Sequence, residues 1–268
     1  MRKIFNTIKQ LLSNIKLLRL IYEKILLLRC EKRFFLNKNL ICETNLNSKL
    51  NLQNFKNDYL NITGNIIISE IPDLTGGVCT TDREIIYNLI KIIKPKKVLE
   101  IGTHIGSSTV TIASALSDIN ENGTLTTVDI IDVNDDLVRP WLKFKTKNSP
   151  LTNLRLLKID QFVEFIVENS MKFLKENLIK YDLIFLDGSH RADHVYKEVS
   201  LALNSLYPNG IILLHDYYPA SNPIPGPREA FKRINNENNQ IDIYQLTNLD
   251  WAKKFKNIGS SLAILYKK

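Results

Sequence analysis

Acidic residues in this 268-residue chain stand where apolar runs stop. The stretch Lys97-Val98-Leu99-Glu100-Ile101-Gly102-Thr103-His104-Ile105-Gly106-Ser107-Ser108 is an apolar segment closing on an acid. Two glycines and a cluster of small residues follow it. A loop of that composition carries almost no side chain in the way of a ligand, which can lie against the backbone. Glu100 disfavours a phosphate there and suits a ligand with a cationic end. Other apolar runs lead into Asp129 (Thr127-Val128-Asp129), Asp160, Asp187 (Phe185-Leu186-Asp187-Gly188-Ser189-His190) and His215-Asp216.

Those residues need elements to position them. Apolar and β-rich runs predict strands at Lys97–Ile101, Thr124–Asp129, Leu154–Lys158, Tyr181–Leu186, Ile211–Leu214, Ile241–Gln245 and Ser261–Tyr266. Helical spacing predicts helices at Ser108–Leu116, Phe162–Glu176, Ala192–Leu206 and Arg228–Ile234, with a helical piece around Leu137–Phe144. Thr81-Asp82-Arg83-Glu84 has the form of a capping box and opens a further helix to about Ile93, stopped by Pro95. Strands alternating with helices imply an α/β fold: a Rossmann-like, doubly wound, mostly parallel seven-stranded sheet with an antiparallel C-terminal strand. Ligands of such sheets bind beyond the carboxyl ends of the strands. The acids therefore share one expected rim.

The net charge of +8 is uneven, because the segment up to Arg33 holds nine Lys/Arg against two Glu and alone carries +7. The basic balance is thus a property of an N-terminal arm, and no general nucleic-acid surface is expected. That arm has helical periodicity from Ile4 to about Leu28. Ile4, Ile8, Leu11, Leu12, Ile15, Leu18, Tyr22 and Ile25 form one apolar stripe. It reads as a helix packed on the body or on a second subunit, or as a basic amphipathic helix on an anionic membrane. Residues 37–65 are Asn/Lys-rich and read as a linker or cap, with Ile66-Ile67-Ile68 a short strand. The expected organisation is therefore a helix and cap over 1–70 and one domain over 71–268. Cys30, Cys42 and Cys79 are too few and scattered for a disulfide framework or zinc cluster, which points to a reducing cytoplasm. No run approaches the roughly 18 uncharged apolar residues of a membrane span.

The loop Val98–Gly106 with the acid after the second strand resembles the class I S-adenosylmethionine-dependent methyltransferases, from about Thr80 onward. Asp187-Gly188-Ser189-His190 with Pro208-Asn209-Gly210-Ile211-Ile212-Leu213-Leu214-His215-Asp216-Tyr217 resembles one branch, the macrocin-type sugar O-methyltransferases and cephalosporin hydroxylase-like proteins. The resemblance implies S-adenosylmethionine bound by Glu100, Gly102, Thr103, His104, Gly106, Ser107 and Ser108. Asp129 would then take the ribose hydroxyls, and Asp160 and Gln161 would lie by the adenine. It also implies a divalent cation such as Mg²⁺ on Asp187 and Asp216. His215 stands where the branch often has an acid, which leaves the metal's identity open. His190 is the candidate general base, acting with Asp187 on the acceptor hydroxyl. Structural roles remain open beside these: Asp129 as a turn residue, Asp160 as a helix N-cap, Asp187 and Asp216 as helix caps, His190 as a loop histidine bonded to backbone. His194 is expected to act only in support. Tyr217, Tyr218 and the Pro-rich loop after them would wall the acceptor pocket.

The sequence thus reads as an O-methyltransferase acting on a hydroxyl of a sugar or glycosylated small molecule, cytoplasmic and homo-oligomeric, with peripheral membrane contact or self-association through its N-terminal helix. Two other readings stand beside it. One is a nucleotide-dependent oxidoreductase, disfavoured because Thr109 occupies the place of a third glycine. The other is a non-catalytic, membrane-associated binding protein on a methyltransferase scaffold.

Overall fold

The structure, a computed structural model, describes residues 2–30, 77–119, 122–217, 224–237, 241–245 and 261–267. Seven strands form: β1 (Lys97–Ile101), β2 (Thr124–Asp129), β3 (Val163–Val167), β4 (Tyr181–Leu186), β5 (Leu206–Leu214), β6 (Ile241–Gln245) and β7 (Ala263–Lys267). The helices are α1 (Arg2–Leu28), α2 (Thr80–Ile93), α3 (Ser107–Ile119), α4 (Pro150–Leu157), α5 (Ser170–Glu176), α6 (Ala192–Ala202) and α7 (Gly226–Glu237). One sheet takes the order β3-β2-β1-β4-β5-β7-β6. β1 to β5 are parallel, and β7 runs antiparallel between β5 and β6. The predicted sheet, including its closing hairpin, is what forms.

The near-continuous apolar runs of β1, β4 and β5 follow from cover on both faces. Leu99, Ile101, Ile184, Leu186, Ile212 and Leu214 pack against Val195 and Val199 of α6 and Phe231 and Ile234 of α7. The alternate residues Val98, Leu183, Phe185, Ile211 and Leu213 pack under Ile86 and Ile90 of α2 and Ile112 and Leu116 of α3. Each such buried aliphatic contributes about 1.5–3 kcal/mol. The strand order reverses at β1, which places a crevice between the carboxyl ends of β1 and its neighbours.

One predicted stretch is overturned. Leu154–Lys158 is not a strand but the end of helix α4 and its cap. Ser149 accepts the amide of Thr152 and Pro150 occupies the first turn, a strong helix start. The third strand lies instead at Val163–Val167, inside what the sequence reads as helix Phe162–Glu176, and only Ser170–Glu176 of that helix forms. β3 is an edge strand whose residues are only partly buried, so its alternation is faint. α2 starts at Thr80 with Cys79 at the N-cap, so Thr81 lies inside the helix and not at the cap position expected of it. β5 starts at Leu206, earlier than predicted, and its register with β4 shifts between Tyr181 and Leu183.

The N-terminal helix forms over the expected span and packs on α6 and α7. Its docked residues differ from the predicted stripe. Glu23 and Leu27 are buried, whereas Ile15, Leu18, Tyr22 and Ile25 of the stripe are exposed. Glu23 accepts the amide of Ala192 at 2.8 Å. The Arg233 guanidinium donates to the carbonyls of Leu27 and Cys30, satisfying the helix's last carbonyls. The predicted linker, the strand at Ile66-Ile67-Ile68 and the domain boundary at 70/71 lie outside the described residues.

Candidate active site

Register alone assembles the rim. Ile101 pairs with Val128 and with Leu186, and Leu186 pairs with Leu214. The next residues, Gly102, Asp129, Asp187 and His215, therefore stand level across β1, β2, β4 and β5. Each ladder runs one bond further: Gly102 N–H to Val128, Asp187 N–H to Ile101 and His215 N–H to Leu186. Gly102 has φ +97°, and a Cβ there would meet the Asp187 carbonyl oxygen at 2.5 Å. Gly106 has φ +79°, and its Cβ would meet Pro150 Cβ at 2.6 Å. Both positions thus require glycine.

Beneath the loop lies a hydroxyl chain. Glu100 is fully buried, and its Oε2 accepts from Thr109 at 2.5 Å and from Thr127 at 2.6 Å. Thr127 in turn bonds Thr103 at 2.7 Å. Burial pushes the Glu100 carboxyl up to about 7 although hydroxyl donors favour its charge. Among the described residues its other oxygen, Oε1, is buried with no partner at hydrogen-bond distance, and the neighbouring Ser108 hydroxyl favours the charged form. Ser107 Oγ accepts the Val78 amide at 3.0 Å, and Ser108 is buried. The hydroxyls of Thr103 and Ser107 thus bond within the protein.

Asp129 is held from two sides. Its Oδ2 accepts the His104 amide at 2.9 Å and its Oδ1 the Ile131 amide at 3.2 Å. The turn role and a ligand role are compatible, because each carboxylate oxygen keeps further acceptor capacity. His104 sits at φ +50°, and its ring meets Phe144 edge-on at 4.1 Å between centroids. Burial lowers its basicity, as expected of a packing residue.

At the far side Asp187, His190 and Asp216 converge, with one ligand atom from each lying within 4.8 Å of the others. His190 Nε2 pairs directly with Asp216 Oδ2. That hydrogen bond raises the basicity of His190. Asp216, at φ +57°, is desolvated, yet its pairs with His190 and His215 hold its carboxyl well below the usual range. His215 does not join the three. Its Nδ1 lies 2.9 Å from Asp187 Oδ1 and its Nε2 3.2 Å from Asp82 Oδ2. Burial opposes its charge, but Asp187, Asp216 and Asp82 together raise its basicity well above that of a free histidine. Asp187, His190 and Asp216 thus form a group that could hold a metal, while His215, expected with Asp187 and Asp216, contacts both of them and Asp82.

Asp160 and Gln161 are not on this rim. They precede β3 at the amino edge of the sheet, where Asp160 lies 4.0 Å from Arg155. The helix-for-strand exchange explains the misplacement. The carboxyl end of β3 instead offers Glu168, Asn169 and Ser170. The Glu168 amide donates to the Asp129 carbonyl at 2.9 Å, Asn169 caps α5, and Ser170 Oγ donates to buried Glu198 at 2.6 Å. The cap signature of Asn169 behind the Val-Glu-Phe-Ile-Val run is the signal that marks this strand end. Asp82 is a second omission. It accepts from the amide and hydroxyl of Ser261, 179 positions away, and Ser261 Oγ accepts the Asp216 amide. No local pattern announces such a contact. His194 lies 4.0 Å from Asp193 and outside the cluster. Tyr217 packs edge-on against Phe231, while Tyr218 and the loop through Pro223 fall outside the described residues.

Comparison with known proteins agrees with this fold. Residues 99–217 match a family model described as a methyltransferase domain. Among solved structures, a Klebsiella pneumoniae protein proposed to be an O-methyltransferase superposes with a TM-score of 0.57 at 18% identity, covering 81% of this chain and 96% of that one. The O-methyltransferase TomG of Streptomyces achromogenes, solved with S-adenosylmethionine, superposes at 0.52 and 18% identity, covering 85% and 91%. The Podospora anserina methyltransferase PaMTH1, solved with S-adenosylhomocysteine, gives 0.53 and 18%, covering 87% and 100%. No curated protein is similar enough in sequence to match.

Proposed function

We propose, from the match of residues 99–217 to a methyltransferase domain and the fold shared with solved O-methyltransferases, that the chain transfers the methyl group of S-adenosylmethionine to a hydroxyl oxygen. The observation that carries the reading is the alignment of Gly102, Asp129 and Asp187 on one rim, with His190 and Asp216 beside them.

The residues suit the cofactor. The buried, unpartnered Oε1 of Glu100 is an acceptor awaiting a donor under the glycine loop. Asp129, fixed by two backbone amides, can take paired ribose hydroxyls. Glu168, Asn169 and Ser170 replace Asp160 and Gln161 as the residues placed for the adenine. The loop holds the sulfonium in position, and placement of donor and acceptor in line supplies much of the acceleration.

Two carboxylates and an imidazole within 4.8 Å also form a donor set for a divalent cation, in which the carboxylates alone would serve Mg²⁺ and the imidazole would favour a softer metal. Such an ion, when bound, lowers the pKa of a coordinated hydroxyl. His190, made more basic by Asp216, receives the proton of the acceptor hydroxyl or joins Asp187 and Asp216 in holding the ion. The acceptor class favoured is a hydroxyl of a sugar or glycosylated small molecule, on the resemblance of the Asp187–His190 and Pro208–Tyr217 segments.

Calorimetry tests the reading. S-adenosylhomocysteine binds the wild type, and Asp129→Ala weakens it about 10- to 100-fold through lost charged hydrogen bonds. Asp187→Ala keeps that binding but loses any Mg²⁺ response of turnover. Binding of NAD in place of S-adenosylhomocysteine, or of neither, refutes the proposal. Full turnover in Asp187→Ala refutes the metal's part in it.

A further inference from the structure

The outward face of α1 has no counterpart in the catalytic reading. Leu17, Leu18, Ile21, Tyr22, Ile25 and Leu28 are each between 42% and 84% exposed. At the turn angle of an α-helix they share an arc of about 140°, opposite the buried pair Glu23 and Leu27 that fixes the helix to α6 and α7. Apolar side chains gathered on one exposed face mark a contact surface.

The charges around that face identify the occupant. Arg19, Lys24 and Arg29, beside or within that arc, are exposed, and the only acid between residues 15 and 29 is Glu23, buried and bonded to the Ala192 amide. A second copy would bring two basic-edged faces together with no acid to pair them. A nucleic acid would leave the apolar arc in water. An anionic lipid surface satisfies both, with the apolar side chains in the acyl boundary and the lysines and arginines reaching the headgroups. Among the described residues no helix is long and apolar enough to cross a membrane, so the geometry is one of lying on the surface. We propose that α1 seats the protein on membranes rich in anionic lipid, through the Leu17–Leu28 face and its basic edges.

Flotation of the full chain with phosphatidylcholine vesicles, with and without about one-third phosphatidylglycerol, tests this. The expected result is binding to the anionic vesicles only, largely lost at about 0.5 M salt, where screening is short-ranged. Ile21→Asp/Ile25→Asp lowers the bound fraction about tenfold or more by removing apolar insertion. Arg19→Glu/Lys24→Glu gives a drop of similar size by reversing charge. All four positions are exposed, so both variants keep the wild-type circular dichroism and S-adenosylhomocysteine affinity. Equal binding to both vesicle types overturns the proposal, as does undiminished binding by Ile21→Asp/Ile25→Asp. Absence of vesicle binding overturns it too. A dimer in sedimentation equilibrium that Ile21→Asp/Ile25→Asp dissolves would then assign the face to a second copy, and a monomer would assign it to the chain's own remaining segments.

Discussion

Replacing Glu100 by glutamine isolates the cost of keeping a carboxylate under the cofactor loop. Glu100 is fully buried, and its carboxyl is raised from an ordinary 4.5 to about 7, with desolvation as the leading cause. In the unfolded chain the group ionises near its ordinary value. Between the two values the folded state holds a proton that the unfolded state has released, so stability falls as pH rises through that window. The full loss is about 3 kcal/mol, reached above the folded-state value. Glutamine removes the titration while preserving shape and an oxygen for Thr109 and Thr127. Urea unfolding of both proteins from pH 5 to 8.5 reads the effect. The stability of Glu100→Gln relative to wild type should rise by about 3 kcal/mol across that range. Other groups, such as Glu198, which burial also pushes to about 7, act equally in both proteins and cancel. A difference that stays flat with pH would refute the assignment of a protonated, desolvated Glu100. Saturating S-adenosylhomocysteine should shrink the effect if its ammonium reaches Oε1.

Further expectations follow from single contacts. Gly102→Ala forces a Cβ against the Asp187 carbonyl at a backbone angle hostile to L-residues, and should lose about 3 kcal/mol or more by urea unfolding. Glu23→Ala strands the buried Ala192 amide and should cost about 1–3 kcal/mol, with α1 becoming the first site of proteolysis. Ser149→Ala removes the cap of α4 and should cost about 1 kcal/mol with S-adenosylhomocysteine affinity unchanged in calorimetry.

The sheet was readable because β1 and β4 carry dense apolar runs and β2 a β-branched Thr/Val run, each with an acid at or beside its carboxyl end, so the rim residues follow from composition. The third strand was not, because an edge strand buries little and Val163–Val167 merges into the helical spacing of α5. That error alone put Asp160 and Gln161 at the wrong edge of the sheet. The stripe on α1 failed for a related reason. A helix with apolar residues nearly all round gives no preferred face, and the docking is set by Glu23 and Arg233 through backbone atoms that periodicity does not see. Asp187, His190 and Asp216 were each legible as site residues, but the sequence grouped the two acids with His215. Their arrangement around His215 was not legible, since it depends on Asp82 and Ser261 arriving from distant strand and helix ends.

Ser261 also carries a lesson about timing. It grips both Asp82 and the amide of Asp216, and it leads into β7, which lies between β5 and β6 although it follows both in the chain. During synthesis β6 has no sheet neighbour, and the Asp216 amide lacks its Ser261 partner, until that strand emerges. A ribosome-bound nascent chain can therefore complete the glycine loop and the β1–β3 side of the rim early, while the Asp216 side waits for β7.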